Sequence, residues 1–294
     1  MKLIYISAFI SLMFVAYLGS FITGVKKYFP YSVAQEMYHS FKSPAPAQEV
    51  MGWNSCNIEE IIDLPSNFSV IIGHAYGQPS KAKIDSFIAP NVERFLFKNI
   101  SNIQNIIFTG DIFAVPSSSK WERLFEQFDS AKIYISPGNH DILRPESKEV
   151  FLKNQFIRKN FPFELPSNDN LSLVIDDSIT SNWRAGKDLE AFIKSITAKN
   201  IIVARHNMPI SQLLPYANSL AGNPDVPMVN NFVKGFSEKQ NFTWIMGDGG
   251  AFEQLPRITC HSFKNHRFIV NGIGEFEGDT VIILHDGKIY SYII

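Results

Sequence analysis

Five short apolar runs recur along the chain, and each one stops at a polar turn. Ser69-Val-Ile-Ile-Gly73 ends at His74-Ala75-Tyr76-Gly77, and Asn105-Ile-Ile-Phe-Thr109 ends at Gly110-Asp111. Ala131-Lys-Ile-Tyr-Ile135 ends at Ser136-Pro-Gly-Asn-His-Asp141. Ile201-Ile-Val-Ala204 ends at Arg205-His206-Asn207, and Phe242-Thr-Trp-Ile-Met246 ends at Gly247-Asp248-Gly249-Gly250. Runs of this length bounded by turn residues predict buried strands. Between them Trp121, Leu124, Phe125 and Phe128 fall at helical spacing, as do Leu189, Phe192, Ile193 and Ile196, which predicts helices that pack one face on a core. Near the C-terminus, 267–271, 280–284 and 288–293 read as strands with little between them, and His285-Asp286-Gly287 as a hairpin turn whose Asp-Gly pair tolerates positive φ. Strand-helix alternation followed by a strand-rich end predicts an α/β fold of two packed, partly parallel sheets with helices outside.

Residues 66–294 make up this globular part. Residues 32 to about 60 carry no strong period, and Ser43-Pro-Ala-Pro-Ala-Gln48 reads as an extended linker, so 28–65 is expected to be a stalk. Leu3 to Val25 contain no charged residue, which is longer than the ~20 residues that a membrane-crossing helix needs. Lys26, Lys27, Tyr28, Phe29 and Tyr31 follow as an interfacial belt. The expectation is a single-pass anchor within residues 1–27, with the large domain on the extracytoplasmic side; a removed signal segment is the competing reading.

The chain's 294 residues can bury a large core, and a formal net charge of -1 offers no basic surface for nucleic acid. Two cysteines, Cys56 and Cys260, exclude a disulfide framework and leave a single bridge open. His39, His261, His266 and His285 read as structural or surface residues, and Glu275 and Asp279 as solvated loop charges.

Chemistry is concentrated in the turns. Carboxyl ends of strands in open α/β sheets are where ligands bind, and five such ends here carry His, Asp or Asn. Gly110-Asp111, Gly138-Asn139-His140-Asp141, His206 and Gly247-Asp248, in this order, resemble the calcineurin-like metallophosphoesterase family over roughly residues 68–294. The resemblance implies a four-layer α/β/β/α sandwich of two mixed sheets flanked by helices. It implies Asp111 as a metal-bridging carboxylate, Asn139 and His206 as ligands of one metal, and His140 as the group that meets the phosphate and assists the leaving group.

Departures from the family pattern are specific. Its first Asp-x-His stands here as His74-Ala75-Tyr76, its last Gly-His-x-His as Gly247-Asp248-Gly249-Gly250, and the second Asp of Gly-Asp-x-x-Asp as Ala114. Asp248 is expected to replace a histidine ligand, which hardens the site toward Mn, Mg or Fe. His74 is expected to refill one position of the other site, while Tyr76 would ligate only as a phenolate. The cofactor expected is one or two divalent ions (Mn, Fe, Zn or Mg). The function expected is a membrane-anchored, metal-dependent phosphoesterase acting on a phosphomonoester or phosphodiester, lipid-linked or envelope-related on grounds of location. The alternative is a catalytically reduced member of the same fold that serves as a binding or scaffold subunit. An α/β hydrolase is disfavoured by the lack of a Gly-x-Ser-x-Gly elbow. The Pro-, Asn- and Gly-rich stretch from Ser211 to Asn241 is expected to wall or cover the site.

Overall fold

The computed structural model describes residues 56–165, 170–210, 226–249 and 257–294. Among the described residues, twelve strands are arranged in two mixed sheets of six. In the first sheet, β1 (Glu59–Glu60), β12 (Lys288–Ile293), β11 (Thr280–His285), β2 (Phe68–Ile72), β3 (Ile103–Thr109) and β4 (Ile133–Ser136) lie in that order. The second runs β5 (Phe163–Leu165), β6 (Leu171–Ile175), β7 (Asn200–Arg205), β8 (Asn241–Met246), β10 (His266–Asn271) and β9 (Ile258–Phe263). Strands β2, β3 and β4 are parallel, as are β6, β7, β8 and β10; β11, β12, β5 and β9 supply the antiparallel pairings.

Alternation along the strands decides the layers, because successive side chains face opposite sides of a sheet. Ile71 and Ile107 point inward to meet Leu173, Ile175, Ile202, Ala204, Ile245 and Ile269 of the other sheet. Val70, Ile72, Ile106 and Phe108 point outward to meet helices α1 (Pro90–Asn99) and α2 (Ser118–Gln127). The second sheet's outer face, with Val203, Trp244 and Phe268, is covered by α5 (Lys187–Lys194) and α6 (Val226–Val233). Helices α3 (Asn139–Ile142) and α4 (Pro145–Lys153) follow β4. The result is a four-layer α/β/β/α sandwich, as expected. The stripe Trp121, Leu124, Phe125, Phe128 is buried; of the other stripe, Leu189 and Ile193 are buried and Phe192 and Ile196 partly so.

Four strands were not foreseen. β1 and β5 are too short to carry a period, β9 lies at the sheet margin with mixed burial, and β6 is a five-residue apolar run, flanked by turn residues, whose stop carries no histidine to single it out. The hairpin turn forms with φ of 48° at Asp286 and 74° at Gly287, as predicted. Cys56 and Cys260 form a disulfide, which ties the chain before β1 to β9. Asp279, expected to be solvated, is fully buried: its carboxylate accepts the Gly274 and Glu275 N–H groups and an Asn91 amide proton, fixing the loop before β11.

The membrane placement is corrected. Among the described residues no helix is long and apolar enough to cross a membrane, since the apolar runs there are strands of three to seven residues. The expected span at residues 3–25, the belt after it, the linker at 43–48 and His39 lie outside the described residues.

Candidate functional site

Because β2, β3 and β4 of one sheet and β6, β7 and β8 of the other are each parallel, their carboxyl ends lie along one edge of the sandwich. There the two backbones touch: a Cβ on Gly73, after β2, would run into the Gly247 Cα, after β8. Only glycine permits that approach, and it brings the turns of both sheets into one niche. His74 and Asp111 leave their strands with φ of 52° and 54°, a left-handed backbone uncommon outside glycine, which costs energy and gathers at functional sites.

Asp111 is the centre of the niche. It is 3% exposed, and the Nε2 atoms of three histidines face its carboxylate. His206 stands 3.6 Å from Oδ1, while His74 and His140 stand 3.8 and 3.9 Å from Oδ2. Each imidazole is held from behind by its other nitrogen: Nδ1 donates to the Gly77 carbonyl in His74 (3.1 Å), to Ala114 in His140 (2.7 Å) and to Thr109 in His206 (2.9 Å). A carbonyl oxygen can only accept, so Nδ1 carries the proton and Nε2 presents its lone pair. Metal-ligating histidines are commonly oriented this way.

Around His206 the set is fuller. Its Nε2 also faces Asn139 Oδ1 at 3.1 Å and Asp248 Oδ1 at 4.0 Å. One nitrogen lone pair among three oxygens is unfavourable unless Nε2 gains a proton or a cation is shared among the four atoms. Burial pulls the His206 pKa down, but Asp111, Asp248 and the Thr109 carbonyl outweigh it, so the net direction is up. For Asp111, burial pushes up, and His206, His140 and His74 together with the His140 N–H pull it below the ordinary value. Burial lowers His74 to about 4, against the pull of Asp111.

The sequence-predicted residues Asp111, Asn139, His140, His206, Asp248 and His74 are therefore brought together. Their exposure separates them: the side chain of His140 is 21% exposed, those of His74 and His206 are 7% and 0%. Among the described residues, no group of three or more His, Cys, Asp or Glu side chains is closed up as a metal-holding cluster. The niche instead shows spaced donors, and atoms sharing one ion through ~2.1 Å bonds must stand roughly 3–3.5 Å apart. Measured from His206 Nε2, Asn139 Oδ1 and Asp111 Oδ1 stand near that spacing and Asp248 Oδ1 slightly beyond it. By chemical type, imidazole, amide oxygen and carboxylate are donors that a divalent ion takes. Gly250 and residues 211–225 of the expected wall lie outside the described residues.

Sequence reasoning missed three supporting residues. Asp141 is fully buried, and its carboxylate accepts N–H groups from Asp111 (2.9 Å), Gly138 (2.8 Å) and Ile112 (3.3 Å), clamping the β3 and β4 turns together. Burial and the Asp111 charge raise its pKa to about 7, against the Gly138 and Ile112 N–H groups and His206. Asn207 donates Nδ2–H to Asp248 Oδ2 at 2.9 Å and exchanges hydrogen bonds with Ser178. Arg205, fully buried, pairs with Asp176 at 3.1 Å and donates to the carbonyls of Trp183, Arg184 and Asn207, which stitches the turns after β6 and β7. The only signal for these was adjacency to residues already singled out.

No protein-family model and no curated protein sequence matches this chain. Solved structures similar to it are of phosphoesterase fold. They include the phosphopantetheinyl hydrolase of Mycobacterium tuberculosis (10% identity, 70% of this chain and 89% of that one, TM-score 0.41) and Vps29 of Chaetomium thermophilum (10%, 78% and 99%, 0.36). A conserved uncharacterized protein of Streptococcus pneumoniae, described as a predicted phosphoesterase, is a third (8%, 79% and 100%, 0.31). The chain's own sheet order and layering define the α/β/β/α sandwich of two mixed sheets.

Proposed function

We propose that this chain is a metal-dependent phosphoesterase. The observation that carries the reading is the set of four donor atoms, His206 Nε2, Asn139 Oδ1, Asp111 Oδ1 and Asp248 Oδ1, gathered at a sheet edge beside a partly exposed imidazole. Those four residues would hold the ion. When bound, a divalent metal supplies charge compensation for a phosphoryl group and makes water acidic enough to attack at neutral pH. Around it, the buried Thr109 carbonyl keeps His206 in one tautomer, and Asn207 holds the outer oxygen of Asp248. His140 sits at the mouth with Nδ1 fixed on Ala114, so Nε2 is the nitrogen that faces a substrate. A proton carried at that atom is placed to go to the leaving oxygen. Asp141 keeps the Asp111 and Asn139 turns in register.

The test uses an aryl phosphodiester and an aryl phosphomonoester with the chain reconstituted in Mn, Fe or Zn. Wild type should hydrolyse at least one of them, and Asp111→Asn should lose at least about a hundredfold in rate. A folded wild type that binds no metal and hydrolyses neither ester would sink the reading and leave the scaffold alternative.

A further inference from the structure

The niche is lopsided about Asp111. On the Oδ1 side stand His206, Asn139 and Asp248, a set of imidazole, amide and carboxylate. On the Oδ2 side, among the described residues, stand His74 and His140 with Tyr76 between them: ring centroids are 4.3 Å from His74 to Tyr76 and 5.0 Å from Tyr76 to His140. Tyr76 is 3% exposed and joins Ala82 and Ala114 in a buried apolar cluster, so carbon occupies the flank where a further carboxylate would be needed. The Tyr76 hydroxyl meets His140 Nε2 at 3.4 Å.

We propose that the centre takes a single divalent ion, on the Oδ1 side of Asp111, and that the Oδ2 side is a hydrogen-bonding side in which the Tyr76 hydroxyl positions His140. The inference rests on the metal-dependent reading above and deepens it. Charge balance decides the count. Asp111 and Asp248 together offer two negative charges, enough to neutralise one divalent ion and half of what two would require. Among the described residues Asp141, a further carboxylate beside Asp111, is committed to three backbone N–H groups. An under-compensated second dication in a niche this buried would be unfavourable. The row of tilted rings is a better filling for that side: two imidazoles already anchored on carbonyls and a phenol packed between them need no metal to hold their shape.

Tyr76 acts through His140 rather than on the substrate. Its hydroxyl meets Nε2, donating to the neutral imidazole and accepting from it once Nε2 carries a proton, while Ala114 fixes Nδ1, so both nitrogens of the catalytic imidazole are restrained.

The full chain is reconstituted with Mn(II), desalted, and measured by elemental analysis and electron paramagnetic resonance. The expected result is one equivalent per chain with the hyperfine pattern of an isolated ion. His74→Phe, which keeps a ring against Tyr76, should retain that equivalent, and His206→Ala should lose it. Two equivalents, or an exchange-coupled signal, overturns the inference and leaves the phosphoesterase reading standing; no bound ion in the folded protein overturns both. Loss of the ion in His74→Phe also overturns it. Tyr76→Phe should lower kcat about tenfold with KM and metal content unchanged and should shift the pH profile of kcat. An unchanged kcat and profile removes the role given to Tyr76.

Discussion

His206 and His266 are both buried, in the same sheet, and they behave oppositely. His206 follows the carboxyl end of β7, and three oxygens face its Nε2. His266 opens β10 at the other end of the sheet, stacked on Phe242 (centroids 4.6 Å apart), with the Trp244 indole N–H donating to its Nδ1 at 3.0 Å. The pKa of His206 is raised; that of His266 falls to about 4 because burial meets no compensating charge. Both are essentially inaccessible, so burial alone does not separate a ligand from a packing residue. The difference lies in whether the surrounding groups are acceptors or hydrocarbon.

The largest expected effect breaks the aromatic niche. Trp244→Ala removes a fully buried indole and the partner of His266, and should cost about 3–5 kcal/mol in denaturant unfolding. Metal bound per folded chain should not change, because no ligand is touched. A coincident loss of metal would mean the two niches are coupled through the sheet.

Acid should act next. Unfolded His266 takes up a proton below its ordinary pKa of 6.5, the folded residue only below about 4. Its contribution is therefore complete above about 6.5 and is lost as pH falls toward 4, on the order of 3 kcal/mol in all. Metal-free His206 has the opposite sign: its contribution is complete below about 6.5 and is lost as pH rises through its raised folded value. Stability of wild type and His266→Phe measured from pH 4 to 7 separates the two, since the variant should lack the acid-side loss.

Asp141→Asn sharpens the oxygen side. Exchanging a charged acceptor of three backbone N–H groups for an amide should cost about 2 kcal/mol and displace Asp111, so metal affinity should fall although no ligand is changed. An affinity equal to wild type would show that the clamp serves folding alone. The smallest effect is that of His266→Phe at neutral pH, about 1 kcal/mol, for leaving the Trp244 N–H without its acceptor.

Much of this was legible along the chain because its signals are local. The unbroken apolar runs Val70–Ile72 and Ile106–Phe108 mark strands buried on both faces, and the period-3.6 stripe of Trp121–Phe128 marks a helix with one buried face. The polar turns after β2, β3, β4, β7 and β8 stand out against apolar runs, and Asp-Gly at 286–287 specifies its hairpin by backbone conformation alone. What only the tertiary structure decided depends on groups far apart in sequence. Asp279 reads as an ordinary loop charge until Asn91 and two backbone N–H groups are found around it. Cys56 and Cys260 reach bonding distance across 204 residues. His206 and His266 are the same letter, and only the folding of the sheets places oxygens around one and rings around the other; a side chain's pKa and role follow from the neighbours that the fold supplies, and those are not written beside it in the chain.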